Sequence, residues 1–61
     1  MKIYLMGSKN PEYVYLFGDS TEMPIPRIGE SLSTTHISFE RVKDVAYDFE
    51  KESIYVVYEG E

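Results

Sequence analysis

The chain has no cysteine, no tryptophan and a single histidine, His36. Without cysteine there is no disulfide and no thiolate metal site. One imidazole is too few for a structural zinc, so neither a metal nor another cofactor is expected. A cysteine-free chain suits a reducing cytoplasm. Glycine is sparse too, with four scattered residues and none of the clustering a phosphate-binding loop requires. No apolar run approaches the roughly 20 residues of a membrane span. Residues 1–6 are too short for the apolar core of a signal peptide, and Gly7-Ser8-Lys9-Asn10-Pro11 ends them. The expectation is a soluble, cytoplasmic protein without a membrane partner.

Positive charge is also scarce. Six Lys and Arg stand against eleven Asp and Glu, for a net charge of −5. Residues 1–29 are neutral, and residues 30–61 carry the whole excess. An acidic half argues against direct nucleic-acid binding, which needs basic side chains on phosphates. It permits a basic protein partner. The 61 residues make one domain, 1–61. A domain this small hides only about 60% of the surface its unfolded chain exposes. Its core is thin, and with disulfide and metal excluded, oligomerisation is the remaining source of added stability.

What the chain does have is β-branched and aromatic residues in alternating runs. Val45, Tyr47 and Phe49 alternate with Asp44, Ala46 and Asp48, the period of a half-buried strand. Residues 50–53 then read as a solvated turn, and 54–58 as a β-branched and aromatic strand. Residues 2–6 and 12–17 form a second hairpin across the turn-rich loop 7–11. The strand over 12–17 is apolar on both sides, so both are covered or one meets another chain. Met23-Pro24-Ile25-Pro26 is extended but poorly laddered, because each proline lacks an N–H. Residues 31–35 read as a hydroxyl-rich loop tip, and 36–39 as a short strand.

Residues 38–51 admit two readings. Phe39, Val42, Ala46 and Phe49 fit a helical stripe with Ser38 as its N-cap, giving an α+β fold with a helix at about 39–51. The strand reading needs a bulge near Lys43 and Asp44 to bring Val42 onto the face of Val45, and propensity favours it. The fold class expected is therefore mostly β: a small antiparallel sheet or SH3-like barrel of about five short strands. Its expected core is Ile3, Leu5, Leu16, Ile28, Val45, Tyr47, Phe49, Ile54, Val56 and Tyr58.

Pro26-Arg27-Ile28-Gly29-Glu30, the run from Val42 to Phe49 and the following Ile-x-Val-x-Tyr strand together resemble a pattern in small phage and prophage proteins. In those, a Pro-x-x-Gly-Glu lead precedes a strand hairpin in an SH3-like barrel or open sheet. The hydroxyl-rich stretch 31–36 is longer than that pattern has. The resemblance implies a β fold and a phage setting, which would place the protein in the host cytoplasm. It carries over no functional residue.

No catalytic set is visible. Gly18-Asp19-Ser20 lacks the second glycine of a nucleophile elbow, and nothing fixes a base and an orienting group around His36. Asp44 and Asp48 with Glu30 could gather as a cluster for a hard cation, but their alternation reads more simply as a solvated strand face. The chain is thus expected to be no enzyme but a protein-binding module. Six tyrosines support this, since tyrosine offers large contact area at low entropy cost. The phage setting would make it an inhibitor blocking the surface of a host defence protein. The alternatives are a homo-oligomeric small-molecule or nucleotide sponge and an acidic nucleic-acid mimic. The expected partner or dimer interface comprises Tyr4, Met6, Tyr13, Tyr15, Met23, Ile25, Tyr55 and Val57. The expected partners are a second copy of the chain and an unidentified protein.

Overall fold

The computed structural model describes residues 1–12, 14–34 and 37–60. Five strands form one curled open sheet: β1 (Lys2–Gly7), β2 (Val14–Asp19), β3 (Ser31–Leu32), β4 (Glu40–Asp48) and β5 (Ser53–Tyr58). Their order across the sheet is β2-β1-β5-β4-β3. The mostly-β class with five short strands is what the sequence pattern predicts. Residues 40–48 are strand, so the helix at 39–51 does not form.

Two hairpins meet in the middle. β1 pairs antiparallel with β2, and β4 with β5. The junction between them is parallel, β1 against β5, with Ile3 beside Ile54, Leu5 beside Val56 and Gly7 beside Tyr58. Strand alternation puts these residues on one face, where they are buried. Gly7 leaves room on that face beside the wholly buried Tyr58.

Two bulges adjust the pattern. Val42 opposes Tyr58 and Asp44 opposes Val57, so Lys43 is the extra residue. Only this insertion lets Val42 and Val45, three positions apart, share the core face. It lies where the strand reading requires it. In β2, Gly18 opposes Ile3 and Leu16 opposes Tyr4, so Phe17 is extra and packs against the core.

The chain leaves β2 at one edge of the sheet and reaches β3 at the other. Between them it crosses the core face. Met23 and Glu22 donate their N–H groups to the Asp19 carbonyl at 3.1 and 3.0 Å, which starts the crossing. Met23 and Ile25 then pack on the core, and Leu32 and Ile37 help close it. A turn ends the crossing: Glu30 N–H donates to the Arg27 carbonyl at 3.1 Å, and the Glu30 carboxylate accepts from Arg27 N–H at 2.6 Å. Gly29 stands there at φ 93°, which a β-carbon would strain.

Several expected core residues are outside it. Leu16 is 61% exposed because β2 turns it to the uncovered face and sends Phe17 inward. Phe49 is 75% exposed, since β4 stops at Asp48 and Phe49 opens the turn to β5. Tyr47 is 50% exposed on a part of β4 that β3 does not reach. Ile28 is 64% exposed on the Arg27–Glu30 turn. In their place the core takes Leu32, Ile37 and Val42. Leu32 belongs to β3, where the hydroxyl-rich sequence suggests a loop tip. Residues 37–39 are not strand; Phe39 has φ 49° and is largely exposed. No helix among the described residues is long and apolar enough to cross a membrane.

Candidate interaction surface

The sheet has a second face, turned away from the crossing segment. The strand registers set its content row by row. One row runs Leu16, Tyr4, Tyr55, Ala46, and the next runs Val14, Met6, Val57, Asp44. Seven of these eight are uncharged, and the one carboxylate stands at the end of its row. Tyr4 and Tyr55 stack with ring centroids 5.6 Å apart and planes 22° from parallel. The in-register parallel junction causes this, because it sets position 4 beside position 55. A flanking row, Asp19, Lys2, Ser53 and Asp48, supplies a polar rim.

Of the residues expected at an interface, Tyr4, Met6, Tyr55 and Val57 therefore come together on this outer face. Tyr15 opposes Leu5 and points to the core side. Met23 and Ile25 belong to the crossing segment and pack on the core. Tyr13 lies outside the described residues. Val14 and Leu16 complete the face. Because β2 is apolar on both sides, sequence alone leaves open which of its faces joins Tyr4 and Met6; the register decides it.

The core side has its own opening. The crossing segment stands off from β4 and leaves a groove of about 620 Å³, lined by Pro24, Ile25, Pro26, Arg27, Ile28, Val45 and Tyr47. Tyr47 also meets Phe49 edge-on, with ring centroids 5.9 Å apart.

The carboxylates considered for a cation site, Glu30, Asp44 and Asp48, each bond to nearby backbone. Glu30 is engaged with Arg27 N–H, Asp44 accepts from Val45 N–H at 2.9 Å, and Asp48 accepts from Lys51 N–H at 3.2 Å. Each caps its own local backbone, so the three do not assemble a cation cluster. No group of three His, Asp or Glu among the described residues is placed to hold a metal. His36 lies outside the described residues. Asp19 has a lowered pKa, chiefly from the Thr21 N–H it accepts at 3.0 Å and then from the Thr21 hydroxyl at 2.9 Å; the Met1 amino group at 3.6 Å adds to this. These bonds shape a turn and present no reacting atom.

No protein-family model matches the chain, and no curated protein or solved structure is significantly similar to it.

Proposed function

We propose that the chain is a non-enzymatic protein-binding module that pairs with a second copy through the outer sheet face and acts by covering a surface of another protein. The observation that carries this reading is the pair of apolar rows centred on the Tyr4–Tyr55 stack. Contiguous apolar surface of this kind is the mark of an interaction site. The crossing segment covers one side of the sheet, which leaves these rows uncovered among the described residues. A second copy brings the same surface, uncharged except for Asp44 at its border, and two-fold pairing is the commonest assembly of such patches. It also supplies the stabilisation that so small a core lacks.

Light scattering after gel filtration tests the pairing. The expected mass at micromolar concentration is that of a dimer, and Tyr55→Glu is expected to give a monomer, because an unpaired carboxylate is costly to bury. A monomeric wild type would refute self-association.

The resemblance of residues 26–58 to phage proteins gives the module a setting: a surface-blocking inhibitor of a host defence protein in the host cytoplasm. Recovery of one bacterial protein from lysate, with loss of that protein's activity on adding the pure chain, is the expected result. A nucleotide released on denaturing the purified protein would instead favour a small-molecule sponge. Salt-sensitive competition with DNA for the partner would favour nucleic-acid mimicry.

A further inference from the structure

Beyond Val42, no strand lies along the outer edge of β4 among the described residues. β3 pairs only with Glu40 and Arg41. Gly29 and Glu30 extend that pairing by one residue, through Gly29 N–H to the Val42 carbonyl at 3.0 Å and Val42 N–H to the Glu30 carbonyl at 2.8 Å. From Asp44 to Asp48 the edge is open, and it borders the groove between β4 and the crossing segment.

The hydrogen bonds fix which groups face that edge. Val42 faces it, as its bonds to Gly29 and Glu30 show. Lys43 is the bulge residue. Val45 N–H is taken by the Asp44 side chain, so it points away from β5. Alternation along an antiparallel strand then turns the N–H and C=O of Tyr47 to the same side. The edge therefore offers the carbonyls of Val45 and Tyr47 and the N–H of Tyr47, in the register a further strand requires. An open edge of this kind is a template for pairing with another chain.

We infer that this edge takes up an extended segment of a partner protein as a sixth strand, and that the segment alternates apolar and basic side chains. The two sides of the edge dictate the alternation. On the core side, the incoming residues meet the groove wall of Pro24, Ile25, Pro26, Ile28, Val45 and Tyr47, which favours apolar side chains. On the other side they lie beside Asp44, Ala46 and Asp48, with Glu50 and Glu52 in the adjoining turn, which favours Lys or Arg. Arg27 on the groove wall is a donor for a carbonyl of the incoming strand. The acidity of residues 30–61 strengthens the attraction at low ionic strength. A second copy's β4 is a poor occupant, because it brings Asp44 and Asp48 to an edge that already carries them. The edge shares Asp44, Ala46 and Asp48 with the border of the outer face, so the two readings are separated by their readouts: Tyr55→Glu at the centre of that face reports on dimer mass, and exchange at the Tyr47 amide reports on strand capture.

The test uses a dye-labelled seven-residue peptide alternating Lys with Val and Ile, titrated with the protein by fluorescence polarisation. Three companions are the same peptide with Glu for Lys, with alternate backbone amides N-methylated, and with its residues scrambled to break the alternation. The expected result is saturable binding of the first peptide, at least tenfold weaker binding of each companion, and slowed hydrogen exchange at the Tyr47 amide. D44K, at an exposed position, is expected to weaken the Lys peptide at least tenfold and to strengthen the Glu peptide, with an unchanged circular dichroism spectrum showing that the strand survives loss of the Asp44 bond to Val45 N–H. Equal binding of the N-methylated peptide would overturn the added strand, and equal binding of the Glu peptide would overturn the basic alternation. No binding of the Lys peptide at millimolar protein, or unchanged exchange at the Tyr47 amide in the saturated complex, would overturn the site.

Discussion

Replacing Phe49 by alanine separates two pictures of this protein. In a strand continuing from Val45 and Tyr47, the ring would be enclosed and its loss would cost about 3–5 kcal/mol. In the structure Phe49 opens the β4–β5 turn and is 75% exposed. An aromatic side chain buries about 200 Å² when enclosed. A quarter of that, about 50 Å², is worth roughly 1 kcal/mol at about 25 cal/mol per Å². The edge-on contact with Tyr47 adds about 0.5–1 kcal/mol. Phe49→Ala should therefore cost about 1–2 kcal/mol. Leu5→Ala is the reference, since Leu5 is 2% exposed at the centre of the sheet and should cost about 2–5 kcal/mol. A domain of this length has a total stability of roughly 3–9 kcal/mol, so Leu5→Ala removes a large share of it and Phe49→Ala leaves a folded protein. Urea denaturation followed by far-UV circular dichroism measures both. If Phe49→Ala cost as much as Leu5→Ala, the placement of the turn at residues 49–52 would be wrong.

Three further outcomes follow from single features. Glu52 closes the same turn at φ 51°, a conformation that costs an L-residue roughly 1–2 kcal/mol; after glycine's own entropic penalty, Glu52→Gly should stabilise by about 0.5–1 kcal/mol, seen as a melting temperature a few degrees higher in calorimetry. The Asp19 carboxyl is lowered by the Thr21 bonds, so the stability it contributes is complete above the unfolded-state pKa of about 3.9 and disappears as pH falls through the lower folded value. Thr21→Val removes the hydroxyl bond and keeps the backbone one, so the Asp19 midpoint in an NMR titration should rise part of the way toward normal; an unmoved midpoint would remove the hydroxyl from the explanation. A β-carbon on Gly18 would stand 2.5 Å from the Met23 sulfur, at the flexible end of that side chain, so Gly18→Ala should cost about 1 kcal/mol and should cost measurably less in a Met23→Ala background.

Much of the sheet is legible in the sequence because strand period and turn chemistry are local. Ile3 and Leu5 share one side of β1, and Ile54, Val56 and Tyr58 share one side of β5, and all five are buried. The Lys43 bulge follows from the three-residue spacing of Val42 and Val45. What escapes is what depends on long-range partners. Leu16 and Phe17 are equally apolar, and only the pairing with β1 tells which faces inward. Leu32 and Ile37 sit among hydroxyl residues, with no periodic neighbour to mark them; they are buried because the crossing chain lays them over the sheet. For the outer face, alternation places Tyr4 with Met6 and Tyr55 with Val57. That the two pairs adjoin is a consequence of the parallel junction, which no short-range pattern encodes.

That junction also bears on folding, because loop-closure entropy leads one to expect the two hairpins to form before the seam between them. β1 and β2 are close in sequence, as are β4 and β5, so each hairpin closes over a short loop on a microsecond scale. The seam between them joins Ile3 to Ile54 and Leu5 to Val56, residues about as far apart as the chain allows. Closing so long a loop costs entropy before any core contact offsets it. Until it closes, β1 and β5 are bare inner edges, and each hairpin exposes half of the future core. During synthesis the first hairpin must wait in that state until β5 has emerged. The slow, aggregation-exposed step of folding is therefore the zipping of the central seam, and charged residues that keep the separate hairpins apart from their counterparts in other chains matter most during that interval.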